Sequence, residues 1–141
     1  MSLADRDKAM GVAAGRHFAE LGLEIIATAG TAASLVAQGV PVRQVVSKLE
    51  EEGPNAVELI ASGQIDLVIN SPRGRGSRAD GAHIRSAATR YRVPLLTTGA
   101  AGQAAAAGMA EWARHRLAVR TLQELHAGAI GPADDQLRLP L

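Results

Sequence analysis

Short apolar runs alternate with segments of helical period along this chain, and that alternation limits the fold more than any other feature. Residues 23–28 (LEIIAT), 40–46 (VPVRQVV), 65–70 (IDLVIN) and 94–97 (PLLT) read as strands. They are short and nearly continuously apolar, as strands buried on both faces are. Between them lie helical patterns. In residues 8–21, Met10, Ala14, Phe18 and Leu21 recur about one turn apart, and Gly22 reads as a stop. Residues 32–38 restart a helix that Gly39 ends, with 29–31 as the intervening turn. Residues 56–62 form a short helix ended by Gly63, with Pro54 suited to its first turn. Residues 81–91 place Ile84, Ala87 and Ala88 on one face, and the alanine-rich 99–116 is helical. A last strand is expected at 117–121 and a last helical turn at 122–127.

Strands separated by helices imply βαβ units, hence a parallel sheet with helices on both faces. The expected fold is a three-layer α/β/α domain over residues 1–127 with about five parallel strands. The tail, 128–141, has two prolines and no clear period, and is expected to be mobile. Pro41 removes a ladder donor and places the 40–46 strand at an edge. Only Met1–Ala4 precede the polar Asp5-Arg6-Asp7-Lys8, so the first strand is expected to be short or truncated.

Composition narrows function. A chain of 141 residues with 47% hydrophobic and 21% charged residues suits one domain. Without cysteine there are no disulfides, thiolate metal sites or cysteine nucleophiles. A formal net charge of +1 recruits neither nucleic acid nor membrane. Aromatics, at 2%, are too few for a base-stacking surface, so Arg73-Gly74-Arg75-Gly76-Ser77-Arg78 reads as a loop rather than an RNA-binding segment. The four histidines lack metal-ligand spacing, so no metal site is expected. No run approaches the roughly 18 residues of a membrane span. Charges at residues 5–8 interrupt any signal-peptide core, so a cytoplasmic location is expected.

In such sheets ligands bind at the carboxyl ends of the strands. Thr28-Ala29-Gly30-Thr31 follows the first apolar run, and helix-start N–H groups beside two hydroxyls make an anion cradle. A plain turn with Thr31 as helix cap is the alternative. Asn70-Ser71 ends the 65–70 run. Lys8 and Lys48, the two lysines among 15 basic residues, fall on the same edge. Together these residues point to an anionic ligand.

Residues 26–32 (IATAGTA), 54–60 (PNAVELI), 65–88 (IDLVINSP through DGAHIRSAA) and 93–98 (VPLLTT) resemble the methylglyoxal-synthase-like domain. The version most similar is the carboxy-terminal allosteric domain of the carbamoyl-phosphate synthase large subunit. Its end resembles residues 117–127 (LAVRTLQELHA). The resemblance implies a noncatalytic regulatory domain of a glutamine-hydrolysing ligase that serves pyrimidine and arginine synthesis. It implies a nucleotide-monophosphate site for UMP as inhibitor or IMP as activator, built from Lys8, Thr28, Gly30, Thr31, Lys48, Asn70 and Ser71. It implies an ornithine-linked region near Leu95 and Thr97, although Leu95 stands where some relatives carry a polar group. The implied partners are the rest of the large subunit and its glutaminase small subunit. No cofactor is implied in this domain, ATP and magnesium belonging to the parent enzyme. Methylglyoxal synthase, acting on dihydroxyacetone phosphate, is the alternative. Its carboxylate base sits in a Gly-Gly-Asp turn, where this chain reads Glu51-Glu52-Gly53-Pro54-Asn55.

Overall fold

The computed structural model describes residues 1–47, 53–71, 79–115 and 119–126. A 3₁₀ turn at Asp5–Asp7 leads into α1 (Lys8–Glu20). Then come β1 (Ile26–Thr28), α2 (Ala29–Ala37), β2 (Gln44–Val46), α3 (Ala56–Ala61) and β3 (Val68–Ile69). The chain continues through α4 (Ala79–Arg90), β4 (Leu95–Leu96), α5 (Gly99–Arg114) and α6 (Leu122–His126). The strands form two parallel pairs, β1 with β2 and β3 with β4.

The segment before the 3₁₀ turn ties the two pairs together. The Met1 amino group donates to the Ile26 carbonyl at 2.6 Å, and the Thr28 amide donates to the Met1 carbonyl. On its other side Ser2 donates to Ile69 and accepts from Ser71, making a parallel bridge with Asn70. Only two residues bond in this way, yet each lies between neighbours already in register. An extended chain with partners on both sides has no unpaired edge to expose.

Successive residues of this frame go to opposite faces, as pleating requires. Leu3 and Ile69 pack with Ala14 and Phe18 of α1 and Ala106 of α5. Val68 packs the other way, with Ile60 of α3 and Ile84, Ala87 and Ala88 of α4. Ile25 and Ala27 meet Ala32 and Leu35 of α2 and Val40. Helices therefore cover both faces, in agreement with the α/β reading.

Several boundaries differ from those expected. α2 begins at Ala29, so Ala29-Gly30-Thr31 is its first turn and Thr28, not Thr31, is its N-cap. β2 starts at Gln44, which leaves Pro41 outside the strand; its one partner among the described strands is β1. Asn55 rather than Pro54 opens α3. Residues 119–121 form no strand. The expected tail and the 73–78 loop lie outside the described residues. The buried stripe of α1 is Gly11, Ala14, Gly15 and Phe18, so Met10 and Leu21 lie off its centre. Gly15 stands where the core has no room for a side chain: a Cβ there would lie 2.8 Å from Leu35 Cδ2 and 3.3 Å from Val40 Cγ1.

α3 has only six residues and depends on its cap. The Asn55 side chain accepts from the Glu58 amide at 3.0 Å, while the Glu58 carboxylate reaches back to the Asn55 amide. Asn55→Ala is expected to lower the unfolding free energy by about 1 kcal/mol. Urea denaturation measures this, and an unchanged midpoint would show that the box contributes nothing.

Candidate functional site

The carboxyl ends of β1 and β3 and the exit of the amino-terminal segment converge. Thr28 caps α2 without a hydrogen bond from the helix backbone to its side chain. Its hydroxyl instead donates to Thr31 Oγ1 at 3.3 Å. No side-chain cap therefore occupies the first-turn N–H groups of α2. Gly30 is exposed beside them, and its carbonyl accepts from Ser34.

Thr31 and Ser71 are held more deeply than a ligand-facing residue needs to be. Thr31 is 1% exposed, and its Oγ1 accepts the Leu3 amide at 2.9 Å. Ser71 Oγ accepts the Ala4 amide at 2.8 Å. Both hydroxyls thus satisfy backbone donors where the amino-terminal segment leaves the sheet. Asn70 is also buried, and its Oδ1 accepts from the Arg85 guanidinium at 2.7 Å.

Lys8 is the first residue of α1, directly after the 3₁₀ turn. Its ammonium lies 2.8 Å from an Asp5 carboxylate oxygen, with Lys8 half-buried and Asp5 exposed. An anion arriving there would compete with Asp5 for the ammonium. Lys48 and Glu50-Glu51-Glu52 lie outside the described residues. Leu95 pairs with Val68 and packs on the Ile60–Ile84 cluster. Thr97 is exposed just past β4.

Arg85 was not among the residues singled out from sequence. It is one of 13 arginines by count, and it lies 15 residues beyond Asn70. Nothing in that spacing marks the pair; only the return of α4 along β3 brings them together. A Cβ at Gly81 would lie 3.1 Å from the guanidinium and 3.5 Å from Asn70 Oδ1, so glycine leaves room for this contact.

Among the described residues no group of three or more histidine, aspartate or glutamate side chains is placed to hold a metal ion. Nor is any helix among them long and apolar enough to cross a membrane.

The arrangement is a cluster of hydroxyls, amides and cations at the ends of β1 and β3. Residues 11–97 match the family model of the MGS-like domain. The chain belongs to the MGS-like domain family. It is 44% identical over 128 residues to the carbamoyl phosphate synthase large chain of Rubrobacter xylanophilus, covering 90% of this chain and 12% of that one. It is 43% identical over 127 residues to the large chain of Acidobacterium capsulatum, covering 90% and 12%. The carboxy-terminal section of the large chain of Methanopyrus kandleri is 40% identical over 135 residues, covering 95% of this chain and 25% of the relative. This MGS-like domain therefore spans only a small part of the relatives it matches.

Proposed function

We propose that this MGS-like domain is the regulatory part of a carbamoyl phosphate synthase large chain and binds a nucleoside monophosphate of the UMP or IMP kind. The convergence of Thr28, Thr31, Asn70 and Ser71 around the uncapped start of α2 carries this reading. In it, the first-turn N–H groups of α2 and the Thr28 hydroxyl hold the phosphate, with Gly30 allowing close approach. Lys8 and Lys48 neutralise it, and Asn70 and Ser71, buried and bonded to Arg85 and the Ala4 amide, fix the backbone on the side of the ribose or base. The reading includes one sheet in the order β2, β1, amino-terminal segment, β3, β4. The bonds of Met1 and Ser2 to both strand pairs support that order.

No residue here performs chemistry in this reading. The nucleotide acts by binding one arrangement of the longer enzyme more tightly than another, which biases the synthase by that difference in affinity. The large chain's remaining domains and its glutaminase small subunit are the partners. Leu95 and Thr97 mark the side linked to ornithine, with Leu95 largely committed to packing.

Calorimetric titration of the purified chain with UMP and with IMP tests the reading. Lys8→Ala or Lys48→Ala is expected to weaken binding by roughly tenfold or more, the effect of removing one charge-assisted contact. A folded chain that binds neither nucleotide, or variants that bind as tightly as the parent, would refute it.

A further inference from the structure

Arg85 sits in the second turn of α4 and is half-buried. One of its N–H groups donates to Asn70 Oδ1 at 2.7 Å. Among the described residues no carboxylate lies within ion-pair distance of it, and its guanidinium makes no other hydrogen bond. An arginine does not lose its proton in a protein, and it carries several N–H donors in one plane. A half-buried cation with uncommitted donors is satisfied only by an acceptor that comes from outside the fold.

The fold sets the direction in which those donors lie. Val68 and Asn70 fall on one face of β3 by the two-residue alternation, and α4 packs on that face through Ile84, Ala87 and Ala88. α4 starts at the carboxyl end of β3 and runs back along it to reach the parallel β4. Helical side chains lean toward the start of their helix, so Arg85 reaches toward the carboxyl ends of the strands. Asn70, 2% exposed, turns its oxygen to the guanidinium because arginine only donates, and this contact holds the plane in place. Gly81, one turn earlier, leaves the space open, since a Cβ there would lie 3.1 Å from the guanidinium.

The start of α2 lies on the other face, where the Ala32 and Leu35 cluster takes in Val12 and Ala19 of α1. The amino-terminal segment bonds to β1 on one side and to Ile69 on the other, so β1 and β3 are two strand spacings apart, about 10 Å. A nucleotide whose phosphate rests at the start of α2 therefore meets Arg85 with its far end, the base.

We propose that Arg85 selects the base of the bound nucleotide by donating to a ring carbonyl, a role that rests on the nucleotide reading above and specifies its ligand. UMP and IMP each carry a carbonyl beside a ring N–H on the base edge. CMP and AMP carry an amino group at the same position, which sets donor against donor. Arg85 thus favours keto bases over amino bases, and Asn70 is its positioning residue.

Calorimetric titration of the full chain with UMP, CMP, IMP and AMP tests this on the parent, Arg85→Met and Arg85→Lys. The parent is expected to prefer UMP over CMP, and IMP over AMP, by roughly tenfold or more, the effect of one charge-assisted hydrogen bond. Arg85→Met has no donors, so both preferences should vanish while binding through the phosphate persists. Arg85→Lys retains the charge but lacks the planar fork that reaches Asn70 and a carbonyl together, so it should narrow both preferences and decides the matter if Arg85→Met does not fold. Preferences that survive in the variants overturn the inference. So does an equal weakening of all four nucleotides, which would make Arg85 a support for Asn70 alone. A parent that binds UMP and CMP alike also overturns it, while leaving the nucleotide reading intact. A folded parent that binds none of the four refutes both.

Discussion

Leu3→Ala is expected to lower the unfolding free energy by about 2–5 kcal/mol, and Gly11→Ala is expected to offset part of that loss when the two are combined. Leu3 is 2% exposed and packs with Ala14, Phe18, Ile69 and Ala106, so its truncation opens a cavity where the amino-terminal segment meets α1 and α5. Gly11 faces it from α1, and a Cβ there would run into the Leu3 Cδ1 methyl. Alone, Gly11→Ala gains about 1 kcal/mol of helix propensity but incurs about 1–3 kcal/mol of overpacking. With Leu3 truncated the clash is gone and the propensity gain remains. The double-substitution cycle should show a favourable coupling of about 1 kcal/mol or more. Urea denaturation of the four proteins measures it. Strict additivity would mean that Leu3 and Gly11 do not share the space their contact implies.

The second expected result is a pH dependence of stability that belongs to the Met1 amino group. Burial pushes this group down from 8.0 to about 6, because its charge loses hydration inside the sheet. It still donates to the Ile26 carbonyl, a bond that a neutral amine also makes. Between pH 6 and 8 the unfolded chain holds this proton and the folded chain does not, so stability rises with pH across that window. The contribution is fully present above pH 8 and is lost as pH falls through about 6. A shift of this size corresponds to roughly 2–3 kcal/mol. Stability at pH 6 and at pH 8 should therefore differ by about that amount in a chain that begins at a free Met1 amine. Nα-acetylation, or polypeptide continuing upstream, replaces the amine by a neutral amide and should flatten the profile. A profile unaltered by acetylation would assign the pH dependence to other groups.

The two results probe the same few residues from different sides. Leu3 anchors the segment through packing, and Met1 anchors it through the ladder. Thr31 and Ser71 hold its exit by accepting the Leu3 and Ala4 amides. Stability of the amino-terminal segment and integrity of the candidate nucleotide site are thus linked through two buried hydroxyls. In the proposed function this couples a bound phosphate to the amino-terminal segment, since anything that moves Thr31 also disturbs the hydrogen bond from Leu3.

Local sequence determined the element types. β-branched and apolar runs of a few residues between helical periods can bury both faces only as strands covered by helices, and glycines such as Gly22, Gly39 and Gly63 stop the preceding helices with φ near +70 to +80°. The same local logic placed Thr28, Thr31, Asn70 and Ser71 at strand ends. Tertiary structure alone decided what those side chains do. Thr31 serves an amide 28 residues away, and Ser71 one 67 residues away. Asn70 takes its partner from α4, and the roles of Gly11 and Gly15 show only where Leu3, Leu35 and Val40 press against them. Propensity and periodicity act within a few residues. Hydroxyl satisfaction, glycine contacts and the strand character of Met1–Ser2 depend on groups brought together only when the sheet assembles.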